Sequence, residues 1–322
     1  MKKLLALVVI MPAAALLGLR LGAVLAGLPS IASFFHEAHP VVVVTTLAGS
    51  LAVASYLLGA ITGDYSWVDR LWSTAPVAFA WVYAARGGYA PAPTVAAVLV
   101  TLWGLRLTYN FARRGGYTTM EDYRWPILRE RIANPLLWQL FSLLFISTYQ
   151  ISLFVLFTLP VHRLAVHGGE VPLATLGVFG VAFLFFLGYE TIADQQQWTF
   201  QNIKHGVAGF GERTRANLES DVDRGFLTHG LFRFSRHPNY FGELMVWWTL
   251  YLLGAVAAGA YLDWSGLGAL LLTLLFVGST RFTESISASR YPSYRSYQER
   301  TSAIVPWAPG GGAEAETETP NA

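Results

Sequence analysis

"SRHPNYFGELMVWWTLYLLGAVAAGA", residues 235–260, decides how the chain has to be read. Arg236, His237, Asn239 and Glu243 crowd its start, and after Glu243 no charge appears in the stretch. A run of this kind meets the roughly 20 apolar residues that a helix needs to cross a hydrocarbon core. Pro238 suits the first turn of that helix, where its missing N–H is no loss. Asn239 and Glu243 are four apart and share one face. A carboxylate carried into a membrane helix costs roughly 2.5–3.5 kcal/mol on insertion scales and usually marks a site or a pathway. The plainer reading of Arg236 and His237 is an interfacial cap that meets lipid headgroups.

The rest of the chain is built the same way. Of 322 residues, 54% are hydrophobic and only 13% charged, with a mean hydropathy of +0.43. Soluble domains run near a quarter charged, so the expected class is all-α, a polytopic transmembrane bundle of seven to eight helices. Apolar runs fall at about 4–27, 40–62, 67–85, 92–111, 136–160, 171–194, 240–261 and 265–283. The first also resembles a signal peptide, but its apolar character continues past Arg20 to Phe35, which favours a retained helix over 1–35. Residues 36–307 then form the main membrane domain, and the acidic, low-complexity 308–322 is expected to be disordered. Apart from Arg20, Arg86, Arg106 and Arg163, every Lys and Arg falls on one side of an eight-helix model. The positive-inside bias then places both termini in the cytoplasm. The two long segments on that side, 112–135 and 195–239, are expected to carry a site open to cytoplasmic solutes.

Several function classes drop out. With no cysteine, there is no disulfide, thiolate metal site, iron–sulfur cluster or cysteine nucleophile. The seven histidines show no metal-protease spacing, so no metal is expected. "GVAGFGE", 206–212, lacks the flanking strand and helix of a dinucleotide fingerprint. No nucleic-acid partner is expected either; membrane lipids are.

Four further stretches combine charge with apolar context. "GYETIADQQQWTFQ", 188–201, sets Glu190 and Asp194 four apart, able to accept hydrogen bonds from a ribose or carboxamide, or simply a solvated helix end. "GDYSWVDRLWSTAP", 63–76, holds Asp64, Asp69 and Arg70, which read equally as a local ion pair. "TLWGLRLTYNFARRGGY", 101–117, buries Arg106 in an apolar run, with Tyr109, Asn110 and Arg113 beyond it. There Arg106 either snorkels or binds a phosphate or carboxylate. "SASRYPSYRSYQERTSAIVPW", 287–307, is basic and aromatic. It suits a membrane-surface helix as well as a lid whose guanidinium forks hold phosphates.

Taken together, "GLFRFSRHPNYFGE", the acidic stripe upstream and "YPSYRSYQERTSAIVPW" resemble the membrane steroid 5α-reductase family, most closely its bacterial branch, over about residues 60–307. The same motifs occur in looser form in sterol reductases and isoprenylcysteine-type methyltransferases. The resemblance implies NADPH held by the cytoplasmic loops and C-terminal half, an apolar steroid or lipid enone among the N-terminal helices, and a bacterial cytoplasmic membrane. It places Asn239 and Glu243 on the cofactor, with Glu190 and Asp194 where the family has an Asn and an Asp. Arg106, Arg113, Arg236, His237 and Tyr240 join them, as do the terminal Tyr294, Arg295, Tyr297, Arg300 and Thr301. The family's catalytic Glu, seven residues before a Pro, falls on Asp69. Its partner Tyr falls on Trp103, which cannot donate a proton in that role, so either Tyr109 substitutes from another turn or the substrate differs from a 3-oxosteroid. The alternative is an S-adenosylmethionine-dependent methyltransferase of the isoprenylcysteine or phospholipid type, and a non-enzymatic lipid-binding scaffold is a third reading.

Overall fold

The computed structural model describes residues 2–168 and 171–309. Among these there is no strand, and seven helical segments are long and apolar enough to cross a membrane. The protein is a polytopic helix bundle. The segment expected to be disordered lies outside the described residues from 310 onward. The chain divides into two compact units, one of residues up to 184 together with 247–272, the other of 185–246 with 273 onward.

In the first unit, helices reverse direction between two ends. α1 (Lys2–Leu25) and α3 (Pro40–Thr62) pack through glycine, because a Cβ on Gly18 would lie 1.6 Å from Ser50 Oγ. The short α2 (Ile31–Glu37) closes one end of this pair, where Ala23, Phe34 and Val43 form a buried cluster. Lys3 meets Asp64 at 2.5 Å at the other end, beside Gly63, whose left-handed φ of 68° stops α3.

The apolar run 67–85 does not form the expected membrane helix. Residues 64–74 are irregular or 3₁₀, and α4 starts only at Ala75 and ends at Arg86. The reason is Arg70. It is fully buried, bonded to Asp64 (2.7 Å) and to the carbonyls of Gly116 (3.0 Å) and Met120 (3.1 Å), so the apolar neighbours Trp67, Val68 and Leu71 cover protein rather than lipid. A helix of this length rises about 18 Å, well short of a hydrocarbon core of about 30 Å. It still reaches the far end of α3, where Arg86 donates to Ala38 O at 3.0 Å. α5 (Pro91–Arg113) returns beside it, Gly104 allowing its backbone to approach Ser73 O.

After α6 (Arg124–Ile132), one continuous helical span covers 135–167. It comprises α7 (Pro135–Phe141), a π-helical stretch Ser142–Tyr149 and α8 (Gln150–His167). The stacked rings of Phe141, Phe145 and Tyr149 line the π turn. Buried Trp103 of α5 packs edge-on against Phe157 of α8 and Trp247. It is a packing residue in this core.

The second unit holds the later part of α9 (Leu173–Lys204), α10 (Glu212–Arg224), the start of α11 (Pro238–Ala258), the end of α12 (Leu267–Arg290) and α13 (Tyr294–Arg300). α9 continues ten residues beyond the 171–194 run, so Glu190 and Asp194 lie within the helix and not at its end. Ala193, Phe200, Leu227 and Phe232 form one buried cluster; Phe226, Tyr294 and Tyr297 form another. Residues 302–307 lie as a strap along 234–237, with Arg236 N to Ser302 O at 2.8 Å, His237 N to Ala303 O at 3.1 Å and Trp307 N to Phe234 O at 2.9 Å.

Candidate functional site

The acidic stripe of Glu190 and Asp194 meets the start of α11 at a crossing of α9 and α11. Asn239 Nδ2 donates to Asp194 Oδ1 at 3.2 Å. One turn further in, Gly242 lies flat on Glu190. A Cβ there would sit 2.6 Å from Glu190 Cβ and 3.0 Å from its Cα and N. Glu190, Asp194 and Glu243 are all buried, at 4%, 6% and 5% exposure. Carboxylates are acceptors only, and the Asn amide both donates and accepts. Groups of this kind can accept hydrogen bonds from hydroxyl or amide N–H donors, and ionised carboxylates repel bare phosphate. Among the described residues, no three His, Asp or Glu side chains are grouped to hold a metal ion.

Gly242 is therefore the residue that lets the crossing form. Gly242→Ala must push the helices apart, with the roughly 1–3 kcal/mol loss usual for overpacking. Gly188 on the same α9 faces open space, so Gly188→Ala is expected to leave the unfolding midpoint in detergent unchanged while Gly242→Ala lowers it. Equal midpoints would show that the helices do not meet this closely.

The remaining residues of the motif are used differently. Arg236 forks onto Glu284 at 2.6 and 2.9 Å, and its third nitrogen donates to the carbonyls of Gln298 (2.9 Å) and Thr301. His237 Nε2 lies 3.1 Å from the same carboxylate, and its ring stacks on Tyr240, which packs on Phe276. Gln298 Nε2 completes the set on Glu284 at 2.8 Å. Arg236 and His237 thus fasten the C-terminal strap; the guanidinium is spent on protein. Glu284 was missed in the sequence because it lies one residue beyond the apolar run 265–283. A carboxylate directly after an apolar run, still within the helix, was the signal available.

Tyr294 and Tyr297 point inward with Phe226, and the Tyr297 hydroxyl donates to Phe232 O. Burial pushes both phenols well above their ordinary pKa. They are core residues of this unit. Arg295 and Arg300 are exposed, and Arg300 Nε donates to Ser296 O at 3.2 Å. Thr301 is buried at the start of the strap.

The first unit carries the other candidates. Asp69 begins a 3₁₀ turn and accepts from Trp125 Nε1 at 2.9 Å. Burial and the neighbouring Asp122 carboxylate push its pKa up to about 6, against the opposing pull of Arg124 and Trp125. Its position seven residues before Pro76 is thus a polar loop niche, braced by Asp122 N to Ser66 Oγ at 2.8 Å. Tyr109 is 68% exposed on α5 with Arg113 over its ring, and no bond joins it to Asp69 among the described residues. Arg113 also grips the buried Asn110 Oδ1 at 2.6 and 2.9 Å. Arg106 is half-buried on the same helix.

A family model for a protein of unknown function, DUF1295, matches residues 55–301, a range that includes every candidate from Asp69 to Thr301. An uncharacterised protein of Schizosaccharomyces pombe is 35% identical over 286 residues, which cover 86% of this chain and 83% of that one. No solved structure matches. The extent of both matches identifies this bundle, with its α9–α11 crossing, as a member of the DUF1295 family.

Proposed function

We propose that the protein is an NADPH-dependent membrane reductase that saturates the carbon–carbon double bond of an apolar enone, a 3-oxo-Δ4-steroid or a related lipid. The observation that carries this reading is the buried Glu190, Asp194, Asn239 and Glu243 set at the α9–α11 crossing. Its donors and acceptors fit the ribose hydroxyls and carboxamide of a dinucleotide. Exposed Arg295 and Arg300 supply charge for its phosphates. When bound, NADPH supplies the hydride.

In this reading Asp194 fixes the Asn239 amide, leaving its carbonyl as an acceptor for the cofactor. Glu190 and Glu243 accept hydroxyl or amide protons where water is excluded. Asp69 in its protonated form gives its proton to the enone oxygen, where negative charge grows during reduction. The enol so formed takes a proton from solvent at the α-carbon as its hydroxyl proton returns to Asp69. A carboxyl whose pKa stands near 6 is suited to this, because general acids work best with a pKa close to the operating pH. We place the basic loops and both termini on the cytoplasmic side.

The test is cofactor-dependent stabilisation of the detergent-purified protein. NADPH is expected to raise the unfolding midpoint saturably and S-adenosylmethionine to leave it unchanged. The opposite pattern would favour a methyltransferase. Arg295→Ala with Arg300→Ala is expected to weaken NADPH more than NADH, since only NADPH carries the 2′-phosphate; equal losses would remove these residues from phosphate recognition.

A further inference from the structure

On α9, Asp194 is turned to Asn239 of α11, and the residues that follow it rotate onto another face. There Gln195, Gln196 and Thr199 line a pocket of about 290 Å³ closed by Asn217 of α10 and by His229. The floor is apolar. Leu218 and Leu227 form it, and Leu227 belongs to the buried cluster with Ala193, Phe200 and Phe232.

The rim is rich in fixed, uncharged hydrogen-bonding groups. Gln196 Oε1 accepts from Leu231 N at 3.0 Å, and its amide lies flat on Gly230. Gly230 has a left-handed φ of 65°, and a Cβ there would come within 2.5 Å of the amide nitrogen. The Gln196 NH₂ is thereby aimed rather than free to swing. Gln195 Nε2 lies 3.3 Å from Thr199 Oγ1.

His229 is oriented from behind. Its Nδ1 lies 2.5 Å from Asp221 Oδ2, and Asp221 is fully buried, also accepting from Thr228 Oγ1 and Arg224 Nη2 at 2.7 Å each. Burial alone would raise the Asp221 pKa, but the bonds from Thr228, His229 and Arg224 hold it below the usual carboxylate range. An ionised carboxylate only accepts, so Nδ1 carries a proton toward Asp221 and Nε2 stands on the opposite edge of the ring.

The lining includes no Lys, Arg, Asp or Glu, so its ligand is an uncharged group. Its volume lies at the lower edge of the roughly 300–1,000 Å³ of whole-ligand sites, which suits one end of a longer molecule. An apolar floor accepts the face of a flat ring. Gln and Asn amides on the rim match the paired donor and acceptor on the edge of adenine.

We propose that this pocket binds the adenine ring of a nucleoside or nucleotide. The proposal rests on the cofactor reading above and deepens it, since NADPH and S-adenosylmethionine both carry adenosine.

The test uses the full chain in detergent with adenosine, guanosine and NADPH as probes, and the variants Asn217→Leu and His229→Leu. Both residues are exposed, and the unfolding midpoints check that both variants stay folded. Adenosine is expected to compete with NADPH while guanosine does not. Each variant is expected to weaken adenosine about tenfold or more, the scale of one or two lost hydrogen bonds. NADPH binding without adenosine competition, or variants that bind adenosine as the wild type does, would overturn the assignment. If NADPH fails to bind but adenosine binds and is lost in the variants, the NADPH reading falls and the pocket stands. If neither binds, both fall.

Discussion

Arg236→Ala is expected to cost about 3–5 kcal/mol, the usual price of leaving one member of a buried ion pair without its partner. Arg236 and Glu284 are each nearly buried, with side chains 9% and 8% exposed. Removing the guanidinium deletes both bonds to Glu284 and the two bonds to the carbonyls of Gln298 and Thr301. The turn leading into the C-terminal strap then loses its bonds to the Arg236 side chain. The unfolding midpoint should drop sharply, and limited proteolysis should cut after residue 290 in the variant before it cuts the wild type. Arg236→Met combined with Glu284→Leu should recover much of the loss, because an apolar pair leaves no charge to desolvate. A midpoint unchanged in Arg236→Ala would mean that the strap is held elsewhere.

The second large effect concerns Asp69. Asp69→Asn is expected to retain NADPH binding while lowering turnover of an accepted enone by about 10²-fold or more, the scale of a lost acid–base group. The pH profile provides an independent check. With its pKa raised to about 6 by burial and Asp122, the acid form is populated below that pH and is lost as pH rises through it. Wild-type turnover should therefore fall with one-proton dependence above about pH 6, and the Asn variant should lack that limb. Asp69→Glu restores the longer reach implied by the reductase resemblance, and catalytic geometry is sensitive to about 1 Å. Wild-type turnover in Asp69→Asn would remove Asp69 from the chemistry and leave only its bond to Trp125 Nε1.

Much of this architecture was legible in the residues. Apolar run length alone located seven membrane-spanning segments, because lipid forces every backbone group into an internal hydrogen bond and so into helix. The run 67–85 misled because hydropathy cannot tell a segment that faces lipid from one that covers a buried arginine. Trp67, Val68 and Leu71 are apolar for the second reason. The four-residue spacings put Glu190 with Asp194 and Asn239 with Glu243 on one helix face each, and Asn239 does meet Asp194, but no spacing could show that Gly242 brings α9 and α11 together. In the terminal segment, Arg and Tyr looked alike as ligand groups. Burial separates them, with Tyr294 and Tyr297 inside and Arg295 and Arg300 outside. Glu284 and Asp221 act through partners 48 and 8 residues away. Only the fold reveals such pairs.

The most direct measurement is the NADPH affinity of the wild type beside that of Glu243→Gln. The substitution keeps size and shape while replacing one acceptor oxygen of the α9–α11 crossing with a donor. If this crossing holds the dinucleotide, the wild type binds NADPH saturably, and the variant, folded with a comparable unfolding midpoint, binds it at least about tenfold more weakly, as expected for a lost charge-assisted hydrogen bond. Identical affinities in two folded proteins would contradict the account and leave Glu243 a structural carboxylate.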